Sequence, residues 1–170
     1  MTHPRWLALL PALVFGHVLV DYLPTYWPNT LWICNLCAGA LAMGLWFRSP
    51  LWVWVSVLWL GVGAPLWLVD GWVGGDWQPH SFGVHLLCPI IGLVGLRGVQ
   101  PPRWRFELAV AAMLGVQGLC RMLTPPEMNV NLVFESALWV GVPFAVHWIG
   151  MMGALLIGLA AVDVLIERMA

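Results

Sequence analysis

A chain of 170 residues that is 61% hydrophobic and 9% charged, with a mean hydropathy of +0.86, lies outside the make-up of soluble domains and reads as an integral membrane protein. The formal net charge is -1, with seven arginines and no lysine, so a basic surface for nucleic acid is excluded. All four cysteines sit within apolar runs, which excludes a secreted disulfide scaffold.

Six apolar runs follow in order: Trp6 to Tyr22, Leu31 to Phe47, Leu51 to Val69, Ser81 to Leu96, Phe106 to Leu123 and Phe144 to Leu165. Several are close to the roughly 17 residues that a spanning helix needs at minimum. The first run has a short basic front, His3 and Arg5, but no small-x-small cleavage site before Asp21, so a retained helix is expected rather than a secretory signal. Breakers separate the runs: LPTYWPNT, RSP, DGWVGGDWQPH, RGVQPPRWR and TPPEMNVN. Thirteen tryptophans are more than one core needs, and Trp6, Trp27, Trp32, Trp46, Trp52, Trp72, Trp77 and Trp104 flank the runs, where amphipathic rings favour the headgroup level.

Charges sort across the connections. Arg5, Arg48, Arg97, Arg103, Arg105 and Arg168 fall on one side, and Asp70, Asp76 and Glu127 on the other. The positive-inside rule then puts both termini in the cytoplasm. The fold class expected is an all-α integral membrane protein, a single domain over residues 1–170. It is a bundle of six transmembrane helices, with an interfacial or re-entrant helix between the fifth and sixth, where NLVFESALWVG interrupts a long connection. The location expected is a bacterial inner (plasma) membrane.

With that topology each polar residue acquires a depth, because a helix rises 1.5 Å per residue. His17 and Asp21, Cys34, Asn35 and Cys37, His80, His85 and Cys88, Gln117, Cys120 and Arg121, Asn129, Asn131 and Glu135, and His147 all fall in the outer part of the membrane or just above it. Ionisable groups at that depth mark a functional site or a wet cavity. The competing explanation is interhelical glue, because Asn, Gln and His commonly hydrogen-bond between helices without any chemistry attached. Arg121 is expected to pair with Asp21, Glu127 or Glu135, or to hold a phosphate headgroup.

Three chemistries fit such a cluster. A cysteine thiolate with a histidine base performs acyl transfer, and Cys37 and His85 come out at similar depths. Cys34 and Cys37 form a CxxC, which with Cys88 and Cys120 as exchange partners would suit a membrane thiol-disulfide oxidoreductase. Metal or haem ligation by His17, His85, His147 and a cysteine ranks last, since no HxxxH, HExxH or paired CxxC is present.

Three fragments resemble one family. Asn35, Leu36 and Cys37 resemble the Asn-Pro-Cys of the YwaF-like integral membrane proteins, whose eukaryotic branch is transmembrane protein 164. SFGVHLLCPIIGL, with His85, is similar to the segment holding that branch's essential histidine, and NVNLVF, with Asn129 and Asn131, resembles its Asn-rich connection before the last helix. Leu36 replaces the proline, and Ala38 stands where the eukaryotic branch has a second histidine. The resemblance implies a six- or seven-helix bundle whose Cys/His pair moves a fatty acyl chain between phospholipids through a thioester.

The expected function is therefore membrane-embedded acyl transfer on lipids in a pocket facing the outer leaflet. Cys37 is the nucleophile and His85 the base; Asn35, His17, Arg121, Asn129, Asn131 and His147 line the substrate site, and Cys34 is dispensable. No metal and no cofactor is expected. The partners are membrane lipids, with other membrane proteins or a second copy as further partners. The alternatives are a non-enzymatic subunit or lipid-binding protein, and the thiol oxidoreductase.

Overall fold

A computed structural model describes residues 3–74, 77–134 and 142–169. Among these the chain is helical, without strands. The six main helices are α1 (Leu9–Tyr22, entered through a 3-10 turn at Arg5–Ala8), α2 (Ile33–Phe47), α3 (Pro50–Gly74), α4 (Pro79–Leu96), α5 (Arg105–Leu123) and α6 (Phe144–Met169). These agree with the six apolar runs. Five are long and apolar enough to cross a membrane, counting the lead-in to α1 with its helix. The exception, α2, has 15 residues, a rise of roughly 22 Å against an apolar bilayer core of about 30 Å.

The centre of the bundle is α3, which packs on α2, α4, α5 and α6. Its sequence is apolar all round; up to Val62 most of it is surrounded, whereas Leu66, Leu68, Val69, Trp72 and Val73 nearer the other end are exposed. Val53, Trp54, Leu58 and Leu60 are all fully buried. Close approach needs small residues on its partners. Gly92 of α4 is one, since a Cβ there would overlap the Val57 side chain. The tryptophans divide accordingly: Trp54, Trp59 and Trp67 are core, whereas Trp6, Trp27, Trp46, Trp52, Trp72, Trp77 and Trp104 are exposed and Trp32 is half-buried.

The turn between α2 and α3 is two residues long. Arg48 adopts a left-handed conformation (φ 56°) and the Ser49 N–H returns to the Gly44 carbonyl at 2.8 Å, a Schellman closure, after which Pro50 opens α3 where its missing N–H costs nothing. Hereafter this is the lower end of the bundle, and the end where α1 stops and α2 starts is the upper end.

At the lower end Arg105 joins α5 to α6. Its guanidinium donates to both oxygens of Asp163, at 2.6 and 2.9 Å, and also to Glu167, while lying 5.1 Å over the Trp54 ring. Higher up, the Trp59 indole donates to the Ala109 carbonyl at 2.9 Å, fastening α3 to α5.

Two helices carry an internal proline. Proline lacks the N–H that would reach four residues back, and its ring presses on that carbonyl. In α3 this is Pro65, inside the helix. In α4 it is Pro89, and the preceding residues Gly83–Leu87 widen into a π-helical turn, with the Cys88 N–H bonded to the Gly83 carbonyl five residues back. Such widenings recur at functional sites.

The connection from α5 to α6 contains 3-10 turns at Pro126–Met128 and Val130–Leu132, with Asn129, Asn131 and Leu132 at positive φ. Residues 135–141, where most of the expected interfacial helix falls, lie outside the described residues, as do Asp76 and Glu135.

Candidate functional site

Gly63 of α3 forms a notch between α2 and α4. The place a Cβ would take there is occupied by the Cys34 sulfur, and the Cδ2 atom of His85 lies 3.7 Å from the same point. A side chain larger than hydrogen would evict the thiol. The thiol brought beside His85 is therefore Cys34. Cys37 lies one turn further along α2, 6% exposed, in the apolar core with Ala38 and Leu41. Cys34 is half-buried and the more accessible of the two.

The His85 ring is held on two sides. Its Nδ1 lies 3.0 Å from the Ser81 carbonyl, one turn back in the widened helix, and its face stacks on Trp67 at 5.1 Å with the planes 3° apart. A carbonyl oxygen only accepts, so Nδ1 carries the proton and Nε2 keeps its lone pair. The ring atom nearest Gly63 is Cδ2, the carbon next to Nε2, and no hydrogen bond joins Nε2 to the Cys34 sulfur. A thiol within hydrogen-bond reach of a free, oriented imidazole nitrogen is the arrangement that makes a nucleophile, and Cys34 and His85 would reach it only after a side-chain shift.

The asparagines serve the backbone. Asn131 Oδ1 accepts the Ile33 N–H at 3.0 Å, capping α2 from 98 residues away, while its Nδ2 donates to the Leu31 carbonyl at 2.8 Å and to Cys120 Sγ at 3.1 Å. Helix starts leave such N–H groups without partners, and no side chain local to α2 supplies a cap. Asn35 Nδ2 donates to the Asn29 carbonyl at 2.9 Å, and Asn129 Oδ1 accepts the Phe134 N–H at 3.0 Å. Asn131 thereby holds the entry to α2 against the end of α5, next to Cys34, the second residue of α2.

Arg121 is exposed rather than buried. It donates to the Val133 carbonyl at 2.6 Å and lies over Phe144 and Phe134 at 4.6 and 5.5 Å. Among the described residues it has no ion pair with Asp21 or Glu127; Glu135, the third expected partner, is outside them. His147 is buried near Phe144 in α6, 6.3 Å between ring centroids. His17 is exposed and sits 3.4 Å from Asp21. All four cysteines are free thiols, Cys88 buried in the core and Cys120 beside Asn131. No group of three His, Cys, Asp or Glu side chains among the described residues is arranged to hold a metal ion.

The structure adds a cluster that the choice of site residues from sequence passed over. His80, at the start of α4, lies with Nδ1 2.8 Å from Asp21 Oδ2 and Nε2 2.9 Å from the Tyr22 hydroxyl. Its sequence signal was faint: an Asp-Tyr pair closing one apolar run and a Pro-His opening another, 58 residues apart.

No protein-family model matches this chain, and no curated protein or solved structure is detectably similar to it.

Proposed function

We propose that this chain is a membrane-embedded acyltransferase that moves a fatty acyl group between lipids through a thioester. In this reading all six helices cross a bacterial inner membrane with both termini cytoplasmic, and the upper end faces the outer leaflet. The exposed apolar side chains, among them Leu13, Ile90, Ile149 and Ile157, support a lipid-facing surface. The resemblance to YwaF-like proteins carries the same chemistry, with Cys37 in the role of nucleophile.

The observation that carries the reading is that Cys34 and the His85 ring both border the notch at Gly63. It favours Cys34 as the thiol. Attack on the donor ester forms the S–C bond as the thiol proton passes to His85 Nε2. The ester C–O bond then breaks and the lysolipid leaves with that proton. An acceptor lipid hydroxyl gives its own proton to Nε2, attacks the thioester and restores the thiol.

The purified protein, incubated with phosphatidylcholine vesicles, is expected to gain a fatty acyl mass on the α2 peptide. Cys34→Ala removes the adduct and Cys37→Ala retains it. The opposite pattern moves the nucleophile to Cys37, and an unmodified wild-type peptide defeats the acyltransferase reading.

A second reading, a non-enzymatic subunit or lipid-binding protein, is favoured by the asparagines, whose amides bond to backbone rather than facing a substrate. It predicts that neither thiol is ever acylated. The oxidoreductase reading instead predicts a disulfide between Cys34 and Cys37 after mild oxidation, read by thiol trapping.

A further inference from the structure

We propose that Asp21, His80 and Tyr22 form a second reactive centre, in which the Tyr22 phenol is activated as a nucleophile toward carboxylic esters at the upper end of the bundle. The centre uses neither Cys34 nor His85, so it stands apart from the thioester chemistry.

Hydrogen-bond logic sets the roles. The Asp21 carboxylate only accepts, so the 2.8 Å contact places a proton on His80 Nδ1. Nε2 is then a lone pair, and the 2.9 Å contact to Tyr22 has the hydroxyl donating to it. Carboxylate, imidazole and hydroxyl stand in the order that activates a hydroxyl in hydrolytic triads, a constellation recognised by geometry and not by chain position.

The surroundings fit that role. The His80 side chain is 1% exposed, so its orientation is locked, whereas the Asp21 side chain is 37% exposed, which leaves the neighbourhood of the site open. The Tyr22 ring packs edge-on to His80 at 4.8 Å, and His17 stands edge-on to His80 at 6.0 Å with Nε2 on the same Asp21 oxygen. The asparagines of this end bond mainly to backbone, whereas these contacts run from side chain to side chain.

The reaction balances with water as the second reactant. As the Tyr22 oxygen bonds to the ester carbonyl carbon, its proton passes to His80 Nε2, and the imidazolium is stabilised by Asp21. The ester C–O bond breaks and the alcohol leaves with that proton. Water then attacks the tyrosyl ester, its proton moving to Nε2 and on to the departing phenolate. A carboxylic acid is released and Tyr22 is restored.

The chain contains two tyrosines, and the second is a built-in control. Tyr26 is 58% exposed, whereas Tyr22 is half-buried, so reactivity governed by exposure alone favours Tyr26. The full chain in detergent micelles is treated with an aryl sulfonyl fluoride, which forms an O–S bond to an activated phenol and loses fluoride. The rate at each tyrosine is then followed by peptide mass spectrometry.

Tyr22 is expected to react about 100-fold faster than Tyr26, the scale of a positioned general base. His80→Gln should remove that advantage while leaving Tyr26 unchanged. With a p-nitrophenyl ester as reagent, the acyl mass should appear on Tyr22. Labelling of Tyr26 at a rate equal to or above that of Tyr22 in the wild-type chain overturns the proposal without recourse to any variant. So does a Tyr22 rate that His80→Gln leaves unaltered.

Discussion

The two ends of the bundle handle polar groups in opposite ways. At the lower end one arginine is saturated: Arg105 meets Asp163 with both donors of its fork, reaches Glu167 and covers Trp54, with Arg105 and Asp163 13% and 15% exposed. Arg105, Asp163 and Glu167 satisfy one another there. At the upper end the polar groups are thiols, imidazoles, amides, phenols, the Asp21 carboxylate and the Arg121 guanidinium, spread over α1, α2, α4, α5 and the connections. The amides mostly satisfy backbone, while His80 turns a nitrogen toward the Tyr22 hydroxyl and the His85 ring borders the notch that holds the Cys34 sulfur. A matched ion network contributes rigidity, whereas an oriented imidazole beside a thiol or phenol supplies chemistry.

The contrast breaks most severely at Arg105. Arg105→Met strands Asp163 as a largely but not fully buried carboxylate without its partner, an expected loss of up to about 3 kcal/mol, the low end of the cost of removing one half of a buried pair. Denaturant or thermal unfolding in micelles reads it. Retained stability in this variant would show the lower end to be no clamp at all.

The next effect falls on chemistry. Gly63→Ala puts a methyl where the Cys34 sulfur sits, so the thiol must move by about an ångström. A displacement of that size costs about 100-fold in rate. Acylation of the α2 peptide should fall by that factor, with the melting temperature less affected than in the Arg105 variant. An unchanged acylation rate would mean that the notch does not position the thiol.

The smallest effect belongs to Asn131→Ala. It uncaps Ile33 N–H and releases the Leu31 carbonyl, a loss of about 1–2 kcal/mol on the scale of helix caps. Faster hydrogen exchange should appear in the first turn of α2 and not at the lower end. Equal protection in both places would make Asn131 a bystander.

Much of the architecture was legible because it depends on local composition. Apolar runs between breakers located all six helices, and the tryptophans at their borders separated from those at their centres, as the preference of amphipathic rings for an interface requires. The gathering of polar residues toward one end was also visible, since helical rise converts sequence position into depth. Pro65 and Pro89 could be seen in the sequence, but not the π turn that answers the second of them. Whether a helix kinks or widens depends on what packs against it.

The sequence by itself determined that this protein is a helical, apolar chain with its reactive side chains concentrated toward one end. It favoured Cys37 over Cys34, but residues three apart on a helix share a face, so sequence could not show which thiol borders His85. Nor could it pair His80 with Asp21 and Tyr22 across 58 residues and more. Those choices belong to tertiary structure. They are made by the empty space at Gly63, which admits one sulfur; by the widened turn around His85, which holds the ring by its own backbone; and by the packing of α1 on α4, which brings a carboxylate and a phenol to the two nitrogens of one imidazole.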